Sequence, residues 1–212
     1  MTSQYTHSNA FRTSAFPSST PTSGVFVAVG QYGSTFRSID NGTSWDNETC
    51  SFFGFDLNGV TYANNTFDVV GGSGNTYYST NNGSTWTNRV APHSGIHPYY
   101  NRSLYGVSFG NSIFVAVGDN GKIVRSVNNG SSWSNVTTGD SPYPYGSNNL
   151  RGVTFGNNTF VAVGYTGKII RSTNDGSSWD NVTSGGDTLR GVTFGNNTFV
   201  AVGNNGKIVR ST

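Results

Sequence analysis

The segment Phe-Val-Ala-Val-Gly occurs at 26–30, 114–118, 160–164 and 199–203, and Phe67-Asp68-Val69-Val70-Gly71 fills the one gap in the series. Successive copies begin 41, 47, 46 and 39 residues apart. A repeat of this kind cannot bury its apolar face alone and must stack against its neighbours. A period of ~40–50 residues is that of a four-stranded propeller blade.

Each unit reads as four short strands. The first is Leu150-Arg151-Gly152-Val153-Thr154-Phe155, with counterparts beginning at Leu57, Leu104 and Leu189. The second is the Phe-Val-Ala-Val segment, apolar on both pleat faces as a strand sandwiched between neighbours must be. The third runs Lys168-Ile169-Ile170-Arg171-Ser172, and the fourth begins at Trp45, Trp86, Trp133 or Trp179. Gly and Asn-Asn pairs interrupt every run, so no helical period is sustained. The expected fold is all-β, a single five-bladed β-propeller over 1–212 with blades near 10–50, 51–92, 103–139, 149–184 and 188–212. The last unit stops inside its third strand. Thr2-Ser3-Gln4-Tyr5 fits the Gly-Ser-Ser-Trp that should follow, and Phe11-Arg12-Thr13-Ser14-Ala15-Phe16 fits a first strand. Residues 2–9 are therefore expected to complete the last blade and close the ring, which removes exposed sheet edges. A monomer is expected, with a fragment of a larger ring or an oligomer that trades blades between chains as the alternative.

The turn between third and fourth strands reads Ser-x-Asp/Asn-x-Gly-x-Ser/Thr-Trp, at Ser38–Trp45, Ser79–Trp86, Ser126–Trp133 and Ser172–Trp179. Asp or Asn caps such a turn with its own side chain, Gly supplies a positive φ, and the Trp buries a large ring between blades. This pattern resembles the Asp-box (BNR) repeat of sialidases and of the photosystem II stability and assembly factor family. The resemblance implies the propeller architecture. It does not carry sialidase chemistry, which needs convergent arginines, an aspartate acid and a tyrosine paired with a glutamate. Glu48 is the only glutamate and stands at the end of an outer strand.

Strands of alternating direction place the Asp-box-like turns on one face of the ring and the variable loops on the other. Those loops include 91–103 and 140–149, rich in Tyr and His beside Asn and Ser, and the more apolar 50–56. Tyrosine rings bind the apolar faces of sugars while amides and hydroxyls satisfy sugar hydroxyls. His93, His97, Tyr99, Tyr100, Tyr143 and Tyr145, with Tyr32 and Tyr165 on neighbouring loops, are the candidate ligand-binding group. Arg151 and Arg190, with Arg12, begin first strands beside the central channel. Lys122, Lys168 and Lys207 begin third strands on the same face, so the two sets are expected to form a basic ring that attracts acidic surfaces. The leading expectation is a non-catalytic carbohydrate-binding, lectin-like module. A protein-binding scaffold using the basic ring is the alternative, and an amplified or engineered repeat with no selected ligand is a third.

The remaining chemistry is sparse. No carboxylate pair is nominated for glycoside hydrolysis. His93 and His97 are separated by Gly95 and followed by Pro98, so no helix aligns them on a metal. Cys50 is the only cysteine and has no activating context. No catalytic residue, metal or cofactor is expected. A net charge of +2 and a pI near 8.7 fall short of a nucleic-acid binder. No apolar run reaches the ~18 residues of a membrane helix, and the N-terminus carries no signal peptide, so secretion would require a leader already removed.

Overall fold

The structure, a computed structural model, describes residues 11–15, 24–47, 54–92, 103–136, 148–183 and 185–211, with backbone alone for 11–15 and 47. Five antiparallel sheets succeed one another along the chain. The first contains β1 (Phe11–Ala15), β2 (Phe26–Gly30), β3 (Thr35–Ser38) and β4 (Asp46–Asn47). The second contains β5 (Leu57–Ala63), β6 (Thr66–Gly71), β7 (Asn75–Ser79) and β8 (Thr87–Val90). The third contains β9 (Leu104–Gly110), β10 (Ile113–Gly118), β11 (Ile123–Ser126) and β12 (Ser134–Val136). The fourth contains β13 (Leu150–Gly156), β14 (Thr159–Gly164), β15 (Ile169–Ser172) and β16 (Asp180–Asn181). The fifth has three strands among the described residues, β17 (Leu189–Gly195), β18 (Thr198–Gly203) and β19 (Ile208–Arg210). Strands pair in chain order within each sheet, each antiparallel to the next.

The sheets stack face to face. At each seam apolar side chains of one sheet meet those of the next. Between the third and fourth, Val115, Val117 and Ile123 meet Phe160, Ala162, Ile170 and Trp179. Comparable clusters join the first to the second, the second to the third and the fourth to the fifth. The middle strands are consequently covered on both faces, and β6 and β10 are buried along their whole length.

The innermost strands β1, β5, β9, β13 and β17 pack side by side in that order, while β17 and β1 make no contact of comparable extent. This close approach explains one repeated glycine: a Cβ on Gly106 would lie 3.2 Å from the Gly152 Cα, and one on Gly152 3.3 Å from the Gly191 Cα. At the ends of the series the seam residues are uncovered. Val202 is 48% and Ile208 69% exposed, whereas their third-sheet counterparts Val117 and Ile123 are buried. Trp45 is 42% exposed against 7% for Trp133. The closing strand expected at residues 2–9 lies outside the described residues.

The Ser-x-Asp/Asn-x-Gly turns form as their residue types dictate. In the first, the Asp40 carboxylate accepts from the Ser44 N–H (2.9 Å) and the Ser44 hydroxyl (2.6 Å), and Ser38 Oγ accepts from the Gly42 N–H (2.8 Å). Those bonds, led by the Ser44 hydroxyl, hold the exposed Asp40 carboxyl down at about 2. Asn81, Asn128 and Asn174 accept from the matching N–H at 2.9, 2.9 and 3.0 Å, so an amide serves the same geometry.

Candidate binding site at the channel mouth

The innermost strands share an irregularity that sequence inspection passes over. Leu150 faces Gly164 and Gly152 faces Val163, which leaves Arg151 as an extra, bulged residue. The same shift bulges out Arg12, Asn58, Tyr105 and Arg190. A bulge re-aims the side chain of the inserted residue. Asn58, Tyr105, Arg151 and Arg190 line one central cavity of about 300 Å³ together with the glycines that follow them. A second, more polar cavity of about 520 Å³ adjoins it, bounded by Asp56, Asn58, Ser73, Ser103, Tyr105 and Arg151.

In three successive sheets the bulged residue bonds to the first residue of the turn between second and third strands. The Tyr105 hydroxyl donates to Asp119 Oδ1 at 2.8 Å, an Arg151 terminal nitrogen donates to the Tyr165 hydroxyl, and Arg190 Nε donates to Asn204 Oδ1 at 2.8 Å. Arg151 also lies between two rings, its guanidinium carbon 4.0 Å from the Tyr105 centroid and 4.7 Å from that of Tyr165. Stacking of this kind fixes the plane of the guanidinium and leaves its edges to donate. Arg151 Nε is buried and makes no hydrogen bond among the described residues.

The hydrogen-bond partners of both arginines are neutral. The nearby carboxylates are otherwise engaged. Asp119 accepts from Tyr105 and from the Ser103 N–H at 3.0 Å, and Asp56 accepts from the Tyr32 N–H at 3.2 Å. Burial, then the bond to Asp119 and its negative charge, pushes the Tyr105 phenol up to about 12, so it remains a neutral donor. Asn58 spends its amide N–H on the Leu104 carbonyl at 2.8 Å.

Of the residues singled out from sequence, Arg151 and Arg190 meet in the central cavity. Tyr165 is close by, but its ring and hydroxyl serve to hold Arg151. Tyr32 is 73% exposed and lines neither cavity. His93, His97, Tyr99, Tyr100, Tyr143 and Tyr145 lie outside the described residues. Of the three lysines expected to join a basic ring, Lys122 and Lys168 are only 7% and 6% exposed, while Lys207 is half-buried. Tyr105 and Asn58 were missed because the repeat's arginine is replaced there. The signal that would have found them is the variable residue of the Leu-x-Gly triplet opening each first strand. Among the described residues no group of three His, Cys, Asp or Glu side chains could hold a metal ion, and no helix is long and apolar enough to cross a membrane.

Stacked four-stranded antiparallel sheets with glycine-lined inner strands around a cavity define a β-propeller. Solved structures agree with that class. A structure of "YCF48 bound to D1 peptide" superposes with a TM-score of 0.67 at 18% identity, covering 96% of this chain and 63% of that one. YCF48 from Cyanidioschyzon merolae gives 0.68 at 15% identity, covering 96% and 67%. BamB from Moraxella catarrhalis gives 0.61 at 13% identity, covering 88% and 53%. This chain thus spans about two thirds or less of the length of the proteins it resembles. No family model and no curated protein matches the sequence.

Proposed function

We propose that this chain is a non-catalytic propeller that binds a protein partner at the channel mouth, where Arg151 and Arg190 receive carboxylates of an extended acidic segment. The observation that carries the reading is the Arg151 clamp: a guanidinium held flat between Tyr105 and Tyr165, bonded to a neutral hydroxyl, facing a polar cavity. A guanidinium so held is pre-organised for paired hydrogen bonds to a carboxylate. One structural neighbour carries a bound peptide in its own structure, which supports the same use of the fold. The turns opposite, read as Asp-box turns, are structural in this account.

The carbohydrate reading loses ground because Tyr165 is committed to Arg151 and Tyr32 stands apart. The two are separated by probing a peptide array of graded acidity and a glycan array with the same labelled protein. Binding to acidic peptides that weakens with salt and disappears in Arg151→Ala supports the proposal. A sugar-specific signal unaffected by that change overturns it.

A further inference from the structure

Three departures from the repeat meet at the polar cavity of about 520 Å³. The first removes a side chain. The turn between second and third strands opens with Asp119, Tyr165 and Asn204 in the third, fourth and fifth sheets, and each of these bonds to a bulged residue. The second sheet has Gly72 there, with no side chain to reach inward, and Gly72 lines the cavity.

The second departure adds an apolar ring. Two residues before the leucine that opens each first strand, the later copies carry Arg102, Asn148 and Asp187, whereas the second sheet carries Phe55. Phe55 lines the cavity and is 42% exposed, and its Cβ lies 3.5 Å from where a Cβ on Gly72 would be. The third departure is Tyr32. The middle residue of each such turn is left-handed, and Asn120 and Asn205 hold φ of 52° and 53°, which asparagine tolerates. Tyr32 holds 55° at the same place, at a cost in backbone strain, and is 73% exposed. Its N–H donates to Asp56 Oδ1 at 3.2 Å, which fastens this turn beside the residue that follows Phe55. Neither ring is buried, so core packing accounts for neither.

We infer that Phe55, with Tyr32 at the rim, is an apolar subsite for one aromatic or aliphatic side chain of the same extended protein segment whose carboxylate meets Arg151. The inference rests on the channel-mouth reading given above. Arg151 and Phe55 bound one cavity, so a single segment reaches both. Charge complementarity draws acidic segments to the arginines but accepts any of them. Covering an exposed ring selects among them, because the gain depends on which side chain stands at which position. The element recognised is thus an acid and an apolar residue a few positions apart, not a run of acids.

The tightest acidic peptide of the array tests this by fluorescence anisotropy, remade with Phe or Ser in turn at each position other than its acids. The repeat itself supplies variants that suit the fold: Phe55→Asn takes the residue of Asn148, and Tyr32→Asn that of Asn120. At one position Phe should improve binding over Ser by about tenfold, near the upper end of what an aromatic pair contributes. Phe55→Asn should remove that gain and leave the Ser peptide's affinity as it was; Tyr32→Asn should remove part of it. Arg151-dependent binding with no position at which Phe improves on Ser overturns the inference and spares the channel-mouth reading. A gain from Phe that survives Phe55→Asn overturns it too, as does equal weakening of both peptides by that change. Binding indifferent to Arg151→Ala overturns both.

Discussion

Asp68 occupies the position held by Val27, Val115, Val161 and Val200 in the other sheets. It is fully buried, its two carboxyl oxygens have no hydrogen-bond partner among the described residues, and it presses against Gly130 of the next sheet's turn. Across the strands it faces Thr61 and Tyr78, neither of them charged. Arg89, held beside the facing Tyr78, donates to its hydroxyl and to the Ser131 and Asn88 carbonyls. Burial alone therefore pushes the Asp68 carboxyl up from 3.8 to about 7.

Because the folded-state value is raised, folding favours the protonated acid. The associated stability is intact below pH 4, falls as the unfolded chain ionises, and has been lost once pH passes about 7. A difference of roughly three pK units at ~1.4 kcal/mol each makes the penalty at pH 8 about 4 kcal/mol. Asp68→Val restores the repeat residue, and valine fits, since the Val27 and Val115 methyls already sit 3.0 and 2.9 Å from where a Cβ on the facing glycine would be. With the cost of burying the unbonded acid added, the variant should gain about 5–6 kcal/mol at pH 8, roughly 10–24 °C in thermal midpoint for a chain of this size. At pH 4 it should gain only the ~1–2 kcal/mol cost of burying an unbonded neutral acid. Urea unfolding of both proteins at the two pH values measures this. A gain of equal size at pH 4 and pH 8 would refute the reasoning.

Other substitutions probe other parts of the account. Trp133→Ala empties a seam position that is 7% exposed and should cost about 3–5 kcal/mol in urea unfolding. Gly118→Ala places a Cβ 2.0 Å from the Ser103 carbonyl oxygen and should lower the thermal midpoint sharply, while Gly195→Ala, with nothing within 4 Å, should change it little. The Asp40 carboxyl carbon, followed by NMR, should titrate near 2, with the turn loosening only as pH falls that far; a midpoint near 3.8 would show that its bonds to Ser44 do not persist in solution.

The repeat announced its architecture because each strand has a distinct chemical role. The Phe-Val-Ala-Val strand is apolar on both faces in every copy but the second, where Asp68 intrudes, and the tryptophan follows its glycine turn in every complete copy. The site was only partly legible. Arg151 and Arg190 stood out by charge, but their aim into the cavity comes from a bulge, a register property invisible in a single strand's sequence. Tyr105 looked like any half-buried tyrosine, and only its stacking on an arginine of the next sheet shows its role. Lys122 and Lys168 are more buried than expected because a place at the start of a strand does not reveal how much of a long side chain its neighbours cover.

The central claim is that the Arg151 clamp, with Arg190, receives carboxylates from a protein partner. A double-mutant cycle tests it most directly. The tightest acidic peptide and its Glu→Gln or Asp→Asn counterparts are titrated calorimetrically against the parent protein and Arg151→Ala. The account predicts one acidic position whose neutralisation couples to Arg151 by about 1–3 kcal/mol, the range of a charge-assisted hydrogen bond. Losses that simply add at every peptide position would place the contact elsewhere and contradict it.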